Sequence, residues 1–480
     1  MGSLGQKTAA PAEAAEPEPG PGPGAVNRTG VVILASCLGF FLINLDATIV
    51  NVALPAIGLR LHASLSDLQW VVAGYTLAFA GLLLSAGTIS DRIGATRLFG
   101  YGLLGFSTAS AACGFAPDVA FLIVARVLQG AAAAAVLPSS LALLRQLLPD
   151  PAARTRAIAL WAAGGGAALC AGPIAGGFLT SLLGWKAIFF VNVPFGLLTV
   201  AGLSRATRSV PQRTSFDLAG QVSAIVALTG FTFAVIEIAP RGVRSPMVLV
   251  PLLVSVAAVI WFLRVESTVR APMVDLRELR SRVFVSCLAT GFALNFSFYG
   301  ILFVLSLTFQ QERGWSPIRT GLSFLPMTFF VLAANLLAGR ITRLVGPRYP
   351  MAGAQLLSAC GFMGILAVGS HGPTWLLLLS TIPIGIGGGL ASPPMMTALL
   401  ESVPAERAGV VSGLLSSCRQ AGGALGVTLF GLLISTTGFG MATGLRFSAV
   451  AAGGLLVAAA TASFLWIPRA GTASDGSSKD

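Results

Sequence analysis

Val31-Val-Ile-Leu-Ala-Ser-Cys-Leu-Gly-Phe40-Phe-Leu-Ile-Asn-Leu-Asp46-Ala-Thr48-Ile-Val-Asn51-Val-Ala-Leu-Pro55 is apolar or weakly polar throughout, save for one carboxylate. A helix needs about 20 such residues to cross a hydrocarbon core of ~30 Å. Backbone groups find no water in lipid, so a run of this kind must close its hydrogen bonds internally, as a helix. Comparable runs recur as far as Pro468 with short polar interruptions. They predict fourteen spans, at 30–53, 67–90, 97–116, 119–144, 156–180, 185–204, 217–238, 247–265, 283–309, 319–342, 350–369, 373–397, 408–436 and 445–467. The expected fold class is all-α integral membrane, and a water-soluble fold is excluded.

Composition agrees. Of 480 residues, 55% are hydrophobic and 10% charged, and the mean hydropathy is +0.83. A soluble protein carries about a quarter charged residues. The formal charge of +12 would suggest nucleic acid in a soluble chain, but no run of consecutive basic residues exists. In a membrane protein such charge holds inner loops against anionic headgroups. Seven basic residues (Arg60, Lys186, Arg241, Arg244, Arg313, Arg319, Arg446) fall in alternate loops on one side, and Arg126 and Arg419 fall within spans. The other 21 of the 30 lie in the remaining loops and tails. That bias predicts both termini in the cytoplasm, with residues 1–29 a disordered tail without a cleavable signal and 468–480 a second tail. The six cysteines sit apart within apolar runs and read as packing residues.

An internal repeat organises the spans. Gly87-Thr-Ile-Ser-Asp91-Arg92-Ile-Gly94 closes the second, and Gly339-Arg-Ile-Thr-Arg343-Leu-Val-Gly346 closes the tenth, 252 residues later, with Gly, Ile and Gly in register. Parallel repeats of this sort occur in transporters. They divide the chain into six-helix halves, 30–204 and 283–467, with two additional central helices inside 205–282.

Ionisable groups in lipid are costly and call for a reason. Asp46 is the one acidic residue well inside a span, and Glu237 lies near the outer end of the seventh. Asp46 suits proton coupling; structurally, it pairs with Arg126 or bonds Thr48 or Asn51. Arg126, in Arg126-Val-Leu-Gln129-Gly130, either tunes a nearby carboxyl or bonds carbonyls of a neighbouring helix. Glu237 forms an interfacial pair with Arg241 or serves protons. Gly172-Pro173-Ile-Ala-Gly176-Gly177 bends the fifth span and allows close crossing. Asn51, Gln129, Arg419 and Gln420 are candidates to line a central cavity. No lysine stands in a phosphate-loop context, His62 and His371 fall in outer loops, and no metal-ligating cluster is evident.

These stretches resemble the major facilitator superfamily, specifically its fourteen-span drug:proton antiporters of the methylenomycin-resistance type. Gly87, Asp91, Arg92, Gly94 and Arg97 fall on the family's GxLxDrxGrr loop, Arg126 to Gly130 on its RxxqG motif, and Gly172, Pro173, Gly176 and Gly177 on its GPxxGG antiporter motif. Leu45 to Pro55 matches LDxTIVNVALP. Trp185, Phe189, Phe190, Asn192, Pro194 and Gly196 match the sixth-span pattern. The likeness covers residues 30–467. It implies export of a small amphiphilic drug or antibiotic across the bacterial plasma membrane by one chain, in exchange for protons, with no cofactor beyond the proton-motive force and no enzymatic chemistry. Asp91, near the end of one helix, can bond backbone N–H groups or the Arg92 and Arg97 side chains, so that the Asp91–Arg97 loop acts as a cytoplasmic gate latch; otherwise it is a solvated loop carboxylate. Uptake by symport, or export of a metabolite that is not a drug, is the alternative. Departures are Ile89, Ala95 in place of a basic residue, and apolar Phe298 at the repeat position of Asp46.

Overall fold

The computed structural model describes residues 23–148, 150–203, 217–269, 274–404, 407–436 and 440–468; both tails lie almost wholly outside them. Six spans come first: α1 (Pro23–Leu61), α2 (Leu65–Ile93), α3 (Ala95–Phe115), α4 (Val119–Leu147), α5 (Pro151–Leu183), and a sixth divided into α6 (Ala187–Phe190) and α7 (Asn192–Leu203). Then come α8 (Leu218–Arg241) and α9 (Pro246–Thr268). The last six are α10 (Arg282–Leu307), a tenth divided into α11 (Pro317–Ser323) and α12 (Leu325–Val345), α13 (Arg348–Val368), α14 (Thr374–Glu401), α15 (Ala408–Thr436) and α16 (Gly440–Trp466). Thirteen stretches are long and apolar enough to cross a membrane, and Ala187–Leu203 is apolar but shorter. The protein is therefore multi-pass and all-helical across its described residues.

The helices outrun the expected spans at several ends, because apolarity marks the lipid-filled part while caps mark the true ends. Ser64 and Asp67 form a capping box at the start of α2, and Asp118, Asp150 and Asp217 cap α4, α5 and α8. Each side chain accepts from backbone N–H groups that have no helical partner. Four of the eighteen acidic residues are used this way. The breaks in the sixth and tenth spans fall shortly before Pro194 and Pro326, where a missing N–H frees a carbonyl of the preceding turn. The ninth span continues past α10 through a π-helical turn at Thr308–Glu312.

The repeat has a conformational counterpart. Gly94 and Gly346, 252 residues apart, end α2 and α12 with φ of 94° and 76°. Each turns its N–H back to the residue four earlier, Ser90 at 3.0 Å and Thr342 at 2.8 Å. L-residues with a side chain rarely adopt such φ values, so glycine is the residue of choice at both turns.

Within α1–α7 the main packing pairs are α1 with α5, and α4 with both α2 and α3; within α10–α16 they are α10 with α15, α14 with both α12 and α13, and α13 with α16. The two sets meet where α2 crosses α15, α5 meets α11 and α12, and α1 touches α10. Helix α8 packs on both α2 and α15, so it covers one seam between the sets. Gln221 holds it there: its Oε1 accepts from Ser85 Oγ at 2.5 Å, and its Nε2 donates to the Gly81 carbonyl. Helix α9 leans on α8 and exposes Leu253, Val256, Ile260 and Trp261, a lipid-facing surface.

Candidate functional site

At mid-height α1 presents Asp46, wholly buried, to a cluster drawn from five helices. Its Oδ2 accepts from Arg126 Nη1 of α4 at 2.5 Å. Its Oδ1 accepts from Gln129 Nε2 at 2.9 Å and from Asn192 Nδ2 of α7 at 2.8 Å. Asn192 Nδ2 also reaches Ser110 Oγ of α3 at 3.1 Å, and that hydroxyl donates to the Phe189 carbonyl at 2.8 Å. Arg126 has further partners. Nη1 donates to Gln129 Oε1 at 2.8 Å, Nε donates to the Val71 carbonyl of α2 at 3.1 Å, and the guanidinium lies 4.2 Å over the Tyr75 ring.

Such a pair is tolerated in a low-dielectric interior because each charge is matched and its remaining bonding capacity is largely filled. Both readings of Arg126 hold at once: it pairs with a carboxylate and bonds a neighbouring helix's carbonyl. Gly130 makes this possible, for a Cβ there would strike the Tyr75 backbone. Thr48 and Asn51 are not partners of Asp46. They bond back into α1, to the Asn44, Leu45 and Ala47 carbonyls. Asn51 and Gln129, expected to line a cavity, are instead fully buried in packing.

The glycine motif of α5 is a double joint. Cβ atoms at Gly172 and Gly176 would strike Thr48 Oγ1 and the Ile49 carbonyl of α1; one at Gly177 would come 2.6 Å from the Pro317 carbonyl of α11. One helix thus bears closely on both sets. Other ties between the sets gather toward the same end, that of the α1–α2 loop. Ser306 Oγ donates to the Asn51 carbonyl at 2.7 Å, Gln310 Nε2 to Val52 at 2.9 Å, and Gln69 Nε2 to Thr428 at 2.8 Å.

At the α2–α3 end, Arg92 and Arg97 are exposed and Gly94 makes the turn. Asp91, expected to bond backbone amides or these arginines, has no hydrogen bond or ion pair among the described residues. Asp91 itself therefore latches nothing in this conformation. Glu237 pairs with Arg241 at 2.5 Å near the end of α8, and the fold does not bring it into the Asp46 cluster. Arg419 and Gln420 lie half-buried on α15. Neither has a hydrogen bond or ion pair among the described residues, and Gln420 Oε1 is buried without a partner.

Sequence reasoning missed Asn192, Ser110 and Tyr75 as members of the cluster. Asn192 had a signal, as the polar position of the sixth-span pattern. Ser110 and Tyr75 had none, because a serine hydroxyl in a span ordinarily bonds its own helix and a tyrosine ring there reads as apolar packing.

The sequence profile of the Major Facilitator Superfamily matches residues 36–427 and 344–479. The chain belongs to the Major Facilitator Superfamily. Among its relatives in that superfamily, the methylenomycin A resistance protein of Streptomyces coelicolor is 35% identical, over 85% of this chain and 86% of that protein. The multidrug resistance protein Stp of Mycobacterium tuberculosis is 36% identical, over 85% and 77% respectively. The tetracenomycin C resistance and export protein of Streptomyces glaucescens is 35% identical, over 84% and 76%. Among solved structures, a D-xylose–proton symporter superposes with a TM-score of 0.69 at 14% identity, covering 92% of this chain and 98% of that one. A bacterial homologue of the lysosomal transporter Spinster, inward-facing and unoccupied, gives 0.63 at 17% identity, covering 93% and 97%. At such identities the structures establish the superfamily fold alone.

Proposed function

We propose that this superfamily member is a proton-coupled exporter of a small amphiphilic drug or antibiotic. It would act in a bacterial plasma membrane, as one chain, with both termini in the cytoplasm. Its likeness to resistance and export proteins over some 85% of its length supports export. The single observation that carries coupling is the Asp46 cluster: a wholly buried carboxylate whose counter-ion is also held by other groups. When Asp46 takes up a proton, Arg126 Nη1 loses a charged partner but keeps Gln129 Oε1, while the rest of the guanidinium keeps the Val71 carbonyl and the Tyr75 face. Proton loading therefore does not strand the arginine.

In this reading the halves 30–204 and 283–467 rock about α5. With the α1–α2 end tied shut, the access path opens at the α2–α3 end, toward the cytoplasm. Substrate enters there with Asp46 charged. The bundle then re-ties at the Asp91 loop, substrate leaves outward, and Asp46 takes a proton that it releases inside. One charge crossing 100 mV supplies about 2.3 kcal/mol before any pH gradient is added.

The test is drug-stimulated proton release from inverted vesicles at matched expression. Asp46→Asn is expected to abolish it, while Glu237→Gln, which alters only an interfacial pair, is expected to retain it. An Asn variant that pumps like wild type overturns the coupling role of Asp46.

A further inference from the structure

We propose that Arg419 is the recognition group for an acidic substrate, so that the transported molecule carries a carboxylate or an equally acidic enol or phenol. This deepens the export reading and rests on it for the existence of a central substrate site. Charge at mid-height supplies the argument. Asp46 and Arg126 cancel one another at 2.5 Å. Arg419, near the middle of α15, has no such counterpart among the described residues. Glu237 is committed to Arg241, and the other acidic side chains of the described residues lie toward the helix ends or in loops. The centre of the bundle therefore carries one uncompensated positive charge.

An unpaired guanidinium in a low-dielectric interior is disfavoured unless something compensates it, and an intramembrane cation without a structural partner points to a ligand. The surroundings fit that purpose. On α15, Leu415, the stem of Arg419, Gly422 and Gly426 pack against α10 at Gly291, Phe292 and Phe296, while Gly413 and Gly431 approach α2 at Leu84 and Gln69. The helical positions between these two contact faces hold Gly423 and Gln420, with Arg419 at the edge of the α10 face. Arg419 thus stands where the α10 contact ends and the seam of the two sets begins. Gly423 brings Tyr299 of α10 close, and Tyr299 lies within electrostatic reach of both Arg419 and Tyr75. Tyr75 in turn stacks on Arg126. Two aromatic rings, Tyr75 and Tyr299, therefore connect the charged cluster to Arg419.

The planar fork of a guanidinium suits a carboxylate, which it can bind through two parallel hydrogen bonds. The orphaned Gln420 Oε1, on the next residue, is an acceptor that a hydroxyl or amide hydrogen of the same molecule would satisfy. A cationic drug finds no acceptor of opposite charge here, since the one central carboxylate is already filled by three donors.

The experiment uses the purified full chain in lipid nanodiscs and three fluorescent probes of one shape: 1-pyrenebutyrate, its uncharged amide, and the corresponding ammonium compound. Binding is read by fluorescence anisotropy at neutral pH. Wild type is expected to bind the acid at least about tenfold more tightly than the amide, as one charge-assisted contact would give. Arg419→Gln is expected to bring acid and amide within about twofold, and Arg419→Lys to keep part of the preference, since it keeps the charge without the fork. Retained amide binding shows that the variants are folded. Acid and amide binding alike to wild type, absence of acid binding, or a preference that survives Arg419→Gln overturns the proposal. Asp46→Asn is expected to keep the acid preference. Loss of proton release with that preference intact leaves the anion site standing, whereas normal proton release without it removes the anion site and spares the exporter.

Discussion

Asp46 Oδ2 and Arg126 Nη1 lie 2.5 Å apart at the centre of the bundle, with side-chain exposures of 0% and 1%, although 80 residues separate them in the chain. No part of this pair meets water, so its energetics depend on mutual satisfaction. Removing one partner of a buried pair leaves an unmatched charge at a cost of about 3–5 kcal/mol, while removing both is often nearly neutral. Arg126→Gln is thus expected to lower the thermal midpoint in detergent more than the double change with Asp46→Asn does. Additive losses would show that the two side chains are energetically independent.

The motif glycines should divide into two classes. Gly176 faces the Ile49 backbone at 2.5 Å from where a Cβ would stand, whereas Gly87 and Gly339 face open space. Gly176→Ala must push α5 from α1 and is expected to cost about 1–3 kcal/mol, as overpacking does. Gly87→Ala and Gly339→Ala should be neutral or slightly stabilising, because alanine favours helices. Thermal midpoints of the three variants test this. A tolerated Gly176→Ala would mean that the α1–α5 joint is loose.

Membrane orientation can be read at exposed positions outside the expected apolar spans. His371 and Thr155 are exposed at opposite ends of the bundle. On a cysteine-free background, His371→Cys is expected to react with an impermeant thiol reagent added to whole cells. Thr155→Cys should react only after permeabilisation. The opposite pattern would place the termini outside.

One ion cluster outside the spans has a definite pH dependence. Arg407, just before α15, meets Asp275 and Glu278 of the α9–α10 connection, each at 2.9 Å. The Arg277 backbone N–H and then Arg407 hold the Asp275 carboxyl below its ordinary range. Partial burial pushes that of Glu278 up despite Arg407, and Glu278 Oε1 forms no hydrogen bond. A depressed carboxyl adds stability that is present above its unfolded pKa and lost as pH falls through its folded one. The stabilising contact is therefore the one with Asp275. Wild type should exceed Arg407→Gln by up to about 1 kcal/mol at neutral pH, the scale of a partly exposed pair. The difference should vanish below the usual aspartate range. A difference that grows on acidification would assign the effect to Glu278.

The sequence by itself determined the membrane fold, the repeat and the places where polar groups enter lipid, and its fourteen expected spans meet thirteen helices long enough to cross and a shorter apolar sixth. These follow from local properties: an apolar run must become a helix in lipid, and Gly94 and Gly346 mark equivalent turns because few other residues accept those φ values. Asp46, Arg126 and the Gly172–Gly177 stretch were legible because their chemistry is anomalous for a span. The partners of those groups could not be read, since a partner is a property of helix packing. Asp46 had Thr48 and Asn51 as equally reasonable neighbours in sequence, and only the crossings of α1 with α4 and α7 chose Arg126, Gln129 and Asn192. By the same reasoning, Arg126 and Arg419 are each an arginine set in the apolar interior of a span, close to a glutamine and a glycine. Tertiary structure alone decided that one is neutralised by a carboxylate and the other left open, because charge compensation depends on which helix lies opposite.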